Sequence, residues 1–301
     1  MKPFKIDFLC VGFNKSGTTT LENLLRYNPD IMLPKNKKEI LFFDWYKTCE
    51  NPVEIMQQKY YPNYQRGKCI GSVEPSYCKR AKEVYEYFGK DVKIVFMMRN
   101  PIKATFSLFK MRLRRIPSLE FANYYKTANN DLNKMFNLFI DRYIRKEHPK
   151  KVNRDYFYDE WINEYLKYFK KEQMKFIIME DFFKDPNKYM QEITDFLQID
   201  SLDYSQIEIP HSNTGDKISR NYLCARINNH LFEKNKHKKT QKSNNEVGFY
   251  RNIFNLIYKF TLKKTNKKID ENTKSELMQI YLPSIKRLEK ITGINLKNKW
   301  Y

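Results

Sequence analysis

The chain has 301 residues, 41% of them hydrophobic, enough apolar content for one large α/β domain or two small ones, which argues against a wholly disordered chain. Its 56 basic against 35 acidic residues give a net charge of +21, so an anionic partner, substrate or cofactor is expected. No apolar run approaches the roughly 20 residues of a membrane span. The longest near the N-terminus, Ile6 to Phe13, is interrupted by Asp7, which argues against an anchor or signal peptide.

Short apolar runs bounded by turn signals predict buried parallel strands at residues 6–13, 68–73, 92–98 and 175–179. Helical spacing predicts helices at 18–27, 81–88, 102–115, 159–171 and 186–197, with Trp161, Tyr165, Leu166 and Phe169 on one apolar face. A last helix near 276–292 carries Leu277, Ile280, Tyr281 and Leu288, and Pro283 predicts a kink or break within it. The alternation predicts an α/β fold: a single P-loop-type domain over residues 1–301, with a central parallel sheet and helices on both faces.

Charge is concentrated late. Residues 217–301 hold 20 basic and 6 acidic side chains, +14 of the +21. Lys234 to Lys242 has no apolar face to bury and reads as a solvated loop, with 234–246 the expected mobile segment. Cys10, Cys49, Cys69, Cys78 and Cys224 show no CxxC spacing, and His148, His211, His230 and His237 form no ligand pattern with them. A reduced, cytoplasmic, metal-free protein is the expectation.

The first strand runs into Gly12-Phe13-Asn14-Lys15-Ser16-Gly17-Thr18-Thr19-Thr20-Leu21. Such a turn points backbone N–H groups and the positive end of a helix dipole at one spot, favouring phosphate or sulfate. Gly12 and Gly17 permit close approach, Lys15 supplies a cation, and Ser16, Thr18, Thr19 and Thr20 supply hydroxyls. Against the nucleotide P-loop pattern G-x-x-x-x-G-K-[ST], Thr18 stands where the lysine belongs, which disfavours Mg·ATP chemistry. A second anion site is expected where Arg99 ends the third predicted strand, Pro101 starts a helix and Ser107 follows two turns later.

Together the two segments resemble the sulfotransferase family that uses 3′-phosphoadenosine 5′-phosphosulfate (PAPS), in particular its carbohydrate branch, the heparan sulfate O-sulfotransferases. In that family K-[ST]-G-T-[TS]-x-L holds the 5′-phosphosulfate and the Arg and Ser of R-x-P-x-x-x-x-x-S hold the 3′-phosphate; Lys15–Leu21 and Arg99 with Ser107 match. Lys38-Glu39-x-x-Phe42-Phe43-Asp44, Glu180-Asp181 with Asp185-Pro186, and Tyr281-x-Pro283 through Leu288, Gly293 and Trp300 resemble further segments. The resemblance implies PAPS as co-substrate, PAP as product and no metal, with Glu39 as base; Lys15 suits neutralising charge on the leaving phosphate, and Lys38, beside Glu39, either orients the acceptor or holds Glu39 ionised. Lys217 and Arg220 are the nearest candidates for the family's later phosphate-contacting loop.

Some positions depart from the pattern. Leu41 stands where some members have histidine, and in Gly71-Ser72-Val73-Glu74-Pro75-Ser76-Tyr77 a serine replaces the expected glutamate while Glu74 lies two residues later. The C-terminal cysteine pair of some Golgi members has no counterpart, which suits a bacterial-type cytoplasmic enzyme. The implied acceptor is a carbohydrate hydroxyl, on a capsular, lipid-linked or other glycan. Trp45, Tyr46, Tyr60 and Tyr61 either stack on its rings or belong to the core. The basic stretch would meet the glycan or an anionic membrane surface. A nucleoside or sugar kinase and a non-catalytic polyanion binder are the rival readings; no specific nucleic acid is expected, because no nucleic-acid-binding motif appears.

Overall fold

The computed structural model describes residues 4–35, 39–65, 67–115, 119–145, 154–207, 217–228, 230 and 256–301. Two compact units emerge. One comprises residues 1–104, 155–212 and 281–301, the other 105–154 and 213–280.

The first unit contains five parallel strands in the order β2-β3-β1-β4-β5. They are β1 (Phe8–Gly12), β2 (Ile31–Met32), β3 (Cys69–Val73), β4 (Lys93–Met98) and β5 (Met174–Ile178). β1 and β3 are buried along their whole length, and β4 at all but its first residue, as strands covered on both faces must be. Phe8, Cys10, Val73, Val95, Met97 and Ile177 pack on one face against Leu21, Leu24 and Leu25 of α1 (Thr18–Leu25) and Met190, Ile193 and Leu197 of α9 (Pro186–Leu197). On the other face Phe96 meets Tyr165 of α7 (Tyr158–Leu166), and α7 lies near α3 (Ala81–Phe88).

Four of the five strands lie where the apolar runs predicted them, with ends shifted by one or two residues, and α3 and α9 have the expected bounds. β2 and α2 (Pro52–Tyr60) were not anticipated. The predicted helix over 159–171 ends at Leu166. Pro283 lies inside one continuous helix, Glu271–Thr292, and does not split it. The turn that follows it is held in place: Ser284 Oγ and Arg287 Nε both donate to the buried carboxylate of Asp159, an anchorage that offsets the lost backbone bond.

The second unit contains the rest of α4 (Pro101–Arg115), then α5 (Leu119–Thr127), α6 (Leu132–Ile140) and an antiparallel pair, β6 (Lys217–Ser219) and β7 (Leu262–Lys264). Its core includes Phe109, Phe136 and Phe139, whose rings lie within 5.1–6.3 Å of one another.

Candidate functional site

In this strand order β1 is the switch point: the chain leaves it toward β2 and β3 on one side and later returns to β4 on the other. Ligands of open parallel sheets bind where the connections diverge, beyond the strand carboxyl ends. The Lys15–Gly17 turn sits there. Phe13 N–H donates to Met97 O of β4 at 2.6 Å, fastening the turn to the neighbouring strand. Gly17 has φ +88°, and a Cβ there would meet Met97 Cε at 3.0 Å and Phe183 Cε2 at 3.1 Å, so conformation and space both demand glycine.

No side chain caps α1. Ser16 is fully buried and its Oγ has no hydrogen-bond partner; it lies close enough to the Tyr158 hydroxyl to lower that group's pKa, although burial drives Tyr158 upward on balance. The Tyr158 proton goes instead to Arg99 O, at 2.7 Å. Thr18 and Thr20 are buried, Lys15 and Thr19 half-buried.

Arg99, half-buried at the end of β4, donates from Nη1 to Lys15 O at 3.2 Å, and its buried Nε has no partner. Two orphaned donors, Ser16 Oγ and Arg99 Nε, thus belong to one strand-end cluster beside an uncapped helix start. Buried polar atoms of this kind are uncommon; here they fit an anionic, multi-oxygen ligand.

The turn after Arg99 is braced. Asn100 Oδ1 accepts from Ile102 N and Lys103 N, both at 3.1 Å, which caps α4. Asn100 N donates to Glu180 Oε1 at 3.0 Å, Asn100 Nδ2 to Trp300 O at 3.1 Å, and Trp300 Nε1 to Glu180 Oε2 at 3.3 Å. The segments around Glu180 and Trp300 therefore hold the Arg99 turn, a role the sequence did not disclose.

Glu39 is half-buried, and the backbone that follows it is gripped by the turn after β3. Glu74, 0% exposed, accepts from Ile40 N at 2.5 Å and Leu41 N at 3.2 Å, and from Ser72 Oγ at 2.7 Å. Tyr77 Oη accepts from Phe42 N at 2.7 Å. Burial pushes the Glu74 carboxyl up to about 7, against the lowering effect of its three donors, and the nearby Glu39 charge adds to the rise. Ser72 and Glu74, read as a departure from the family pattern, form one hydrogen-bonded unit.

Other expected site residues belong to the second unit or lie outside the described residues. Ser107 is half-buried on α4, in the second unit. Lys217 is exposed at the start of β6, across from Lys264. Arg220 is also in the second unit and spends its Nε on Phe260 O at 2.7 Å. Lys38, His211–Asp216 and the 234–246 segment lie outside the described residues. Tyr60 and Tyr61 are 6% and 2% exposed, so these two belong to the core and cannot stack on a sugar; Tyr61 Oη is committed to Gly71 O at 2.9 Å. Trp45 and Tyr46 remain half-buried.

Comparison with known proteins places this geometry in a family. Residues 5–281 match the family described as Sulfotransferase domain. A solved sulfotransferase from Alicyclobacillus acidocaldarius superimposes with a TM-score of 0.60 over 98% of this chain and 99% of that one, at 17% identity. The Membrane-associated sulfotransferase kil1 of Dictyostelium discoideum is 28% identical over 125 residues, 38% of this chain and 26% of that protein. The match therefore spans about a quarter of that relative's length. With the family matched over most of its residues and the parallel sheet found in a solved member, the chain belongs to the sulfotransferase family.

Proposed function

We propose that this protein transfers a sulfuryl group from PAPS to a hydroxyl of a carbohydrate acceptor. The observation that carries the reading is the strand-end cluster in which Lys15, Ser16 and Arg99 surround an uncapped helix start with two donors unsatisfied. PAPS supplies the sulfuryl group and a phosphate leaving group; the residues of the loop bind its anionic end. Lys15 neutralises charge that develops on the phosphate oxygen as its bond to sulfur breaks. Glu39 takes the proton of the acceptor hydroxyl as the new oxygen–sulfur bond forms, an assistance worth about 10²–10⁴ in rate. Arg99 recognises the 3′-phosphate, and Lys38 orients the acceptor.

Peripheral contact with an anionic membrane, where a lipid-linked glycan would reside, belongs to the same reading. Leu223, Ile227, Leu256, Ile257 and Phe260 are exposed, and residues 217–228 and 256–269 include basic but no acidic side chains, a combination suited to an anionic lipid surface. The Dictyostelium relative is itself named membrane-associated.

Calorimetric titration with PAP tests the donor assignment. Saturable binding, weakened at least tenfold by Lys15→Ala and Arg99→Ala, is expected; thermal stabilisation by ATP·Mg but not by PAP overturns it in favour of a kinase.

A further inference from the structure

The activity proposed above does not use Glu74. Its placement supplies a role. Glu74 follows β3, its backbone N–H donates to Cys10 O of β1 at 2.8 Å, and its own carbonyl accepts from Tyr77 N at 2.9 Å. The residue is thus tied to the two adjacent strands whose carboxyl ends border the site. From that fixed base it uses both carboxylate oxygens on one short stretch of chain: Oε1 on Ile40 N and Oε2 on Leu41 N. Ser72 Oγ holds Oε1 from the strand side, and Tyr77 takes the next amide, Phe42 N. Three consecutive backbone N–H groups, immediately after Glu39, are therefore anchored by two side chains of one turn.

Such an arrangement is needed there. Leu41 has φ +53°, a left-handed conformation that a non-glycine residue holds only when its surroundings impose it. The segment includes no strand or α-helix, only a single 3₁₀ turn over Phe42–Asp44, so little in its own backbone fixes the direction of Glu39.

We infer that Glu74, seconded by Ser72 and Tyr77, is the positioning residue of the reaction, clamping the backbone of Ile40–Phe42 so that the Glu39 carboxylate faces the acceptor. Glu74 is buried and acts through Glu39. The inference rests on the assignment of Glu39 as base. Misplacing a reacting group by about 1 Å costs on the order of 10²-fold in rate, and that sets the scale.

The groups around Glu74 are Glu39, Tyr61 and Tyr77, together with the Ser72 hydroxyl. Both tyrosines are driven up by burial. Glu39 adds to the rise that burial imposes on Glu74.

The experiment is a mutant cycle on the full chain with an amide-exchange readout. Glu74→Ala is expected to lower kcat by about 10–100-fold while leaving the PAP dissociation constant and the donor KM within about threefold. Glu74→Gln, which keeps one acceptor oxygen, should recover part of the loss, and Tyr77→Phe and Ser72→Ala should show smaller losses of the same kind. Hydrogen exchange at the Ile40 and Leu41 amides should accelerate in Glu74→Ala. If Glu74→Ala does not fold, the Ser72 and Tyr77 variants decide, since each removes a single bond.

In a Glu39→Gln background, Glu74→Ala should lower kcat no further, because both act on one step. Full additivity of the two losses, or unchanged exchange at Ile40 and Leu41, overturns the clamp. Substantial activity retained by Glu39→Gln overturns the base assignment instead, and exchange at the two amides still reports whether Glu74 fixes the segment.

Discussion

Arg99 reaches from the end of β4 to the turn after β1, where its Nη1 donates to the Lys15 carbonyl oxygen at 3.2 Å. One guanidinium therefore fixes the backbone of the residue proposed to meet the leaving phosphate while its buried Nε is left without a partner, the atom that the proposed reading assigns to an anion. A lysine cannot do both, because it offers a single point charge in place of a planar fork. Arg99→Lys should weaken PAP binding about 10–100-fold, the equivalent of one or two charge-assisted hydrogen bonds, with the melting temperature of the free protein almost unchanged. Calorimetric titration beside a thermal melt measures both.

Gly17→Ala should be worse for the fold than for any single contact. The added methyl group meets Met97 Cε at 3.0 Å and Phe183 Cε2 at 3.1 Å while φ stays at +88°, and strain of this kind costs roughly 1–3 kcal/mol. A lowered midpoint in urea with an unchanged slope, together with loss of PAP binding, is the expected outcome.

Asp159 is 2% exposed and accepts from Arg287 Nε at 2.6 Å and from Ser284 Oγ. Asp159→Ala leaves the Ser284 hydroxyl buried without its acceptor, whereas Arg287, 53% exposed at its side chain, turns to water. The expected loss is about 1–3 kcal/mol, read as a fall in the unfolding midpoint. Ser284→Ala should recover part of it in the double variant, since the orphaned hydroxyl is then gone.

Glu74 makes stability depend on pH in a defined direction. Its carboxyl is raised from 4.5 to about 7, chiefly by burial, so between these values the folded chain binds more protons than the unfolded one. The group's contribution is fully present below about 4.5 and is lost as pH rises through about 7. Glu74→Gln removes this dependence. Denaturation at pH 5 and pH 8 should show the difference in stability shifting in the variant's favour at the higher pH; an equal difference at both would contradict the raised carboxyl.

The parallel sheet was legible because buried strands leave continuous apolar runs, as in the Lys93–Met98 strand, and the turn after the first strand was legible from its closely spaced glycines and hydroxyls. β2 was not, since Ile31 and Met32 are too few to show a period. Pro283 misled for a different reason: the local rule against an internal proline was overridden by the distant Asp159. For Tyr61 the sequence left sugar stacking and core packing equally open, and only the fold reveals that its hydroxyl belongs to Gly71. Glu74 could be noticed as a misplaced glutamate, yet its partners, 33 and 34 residues earlier, are set by the sheet and leave no trace in spacing.

The brace between Asn100 and Trp300 joins positions 200 residues apart. During synthesis the strands and the loop emerge long before the tryptophan does. A nascent chain can therefore pair its strands before the brace on the Arg99 turn exists, so this turn takes its final form only after the sheet has been made.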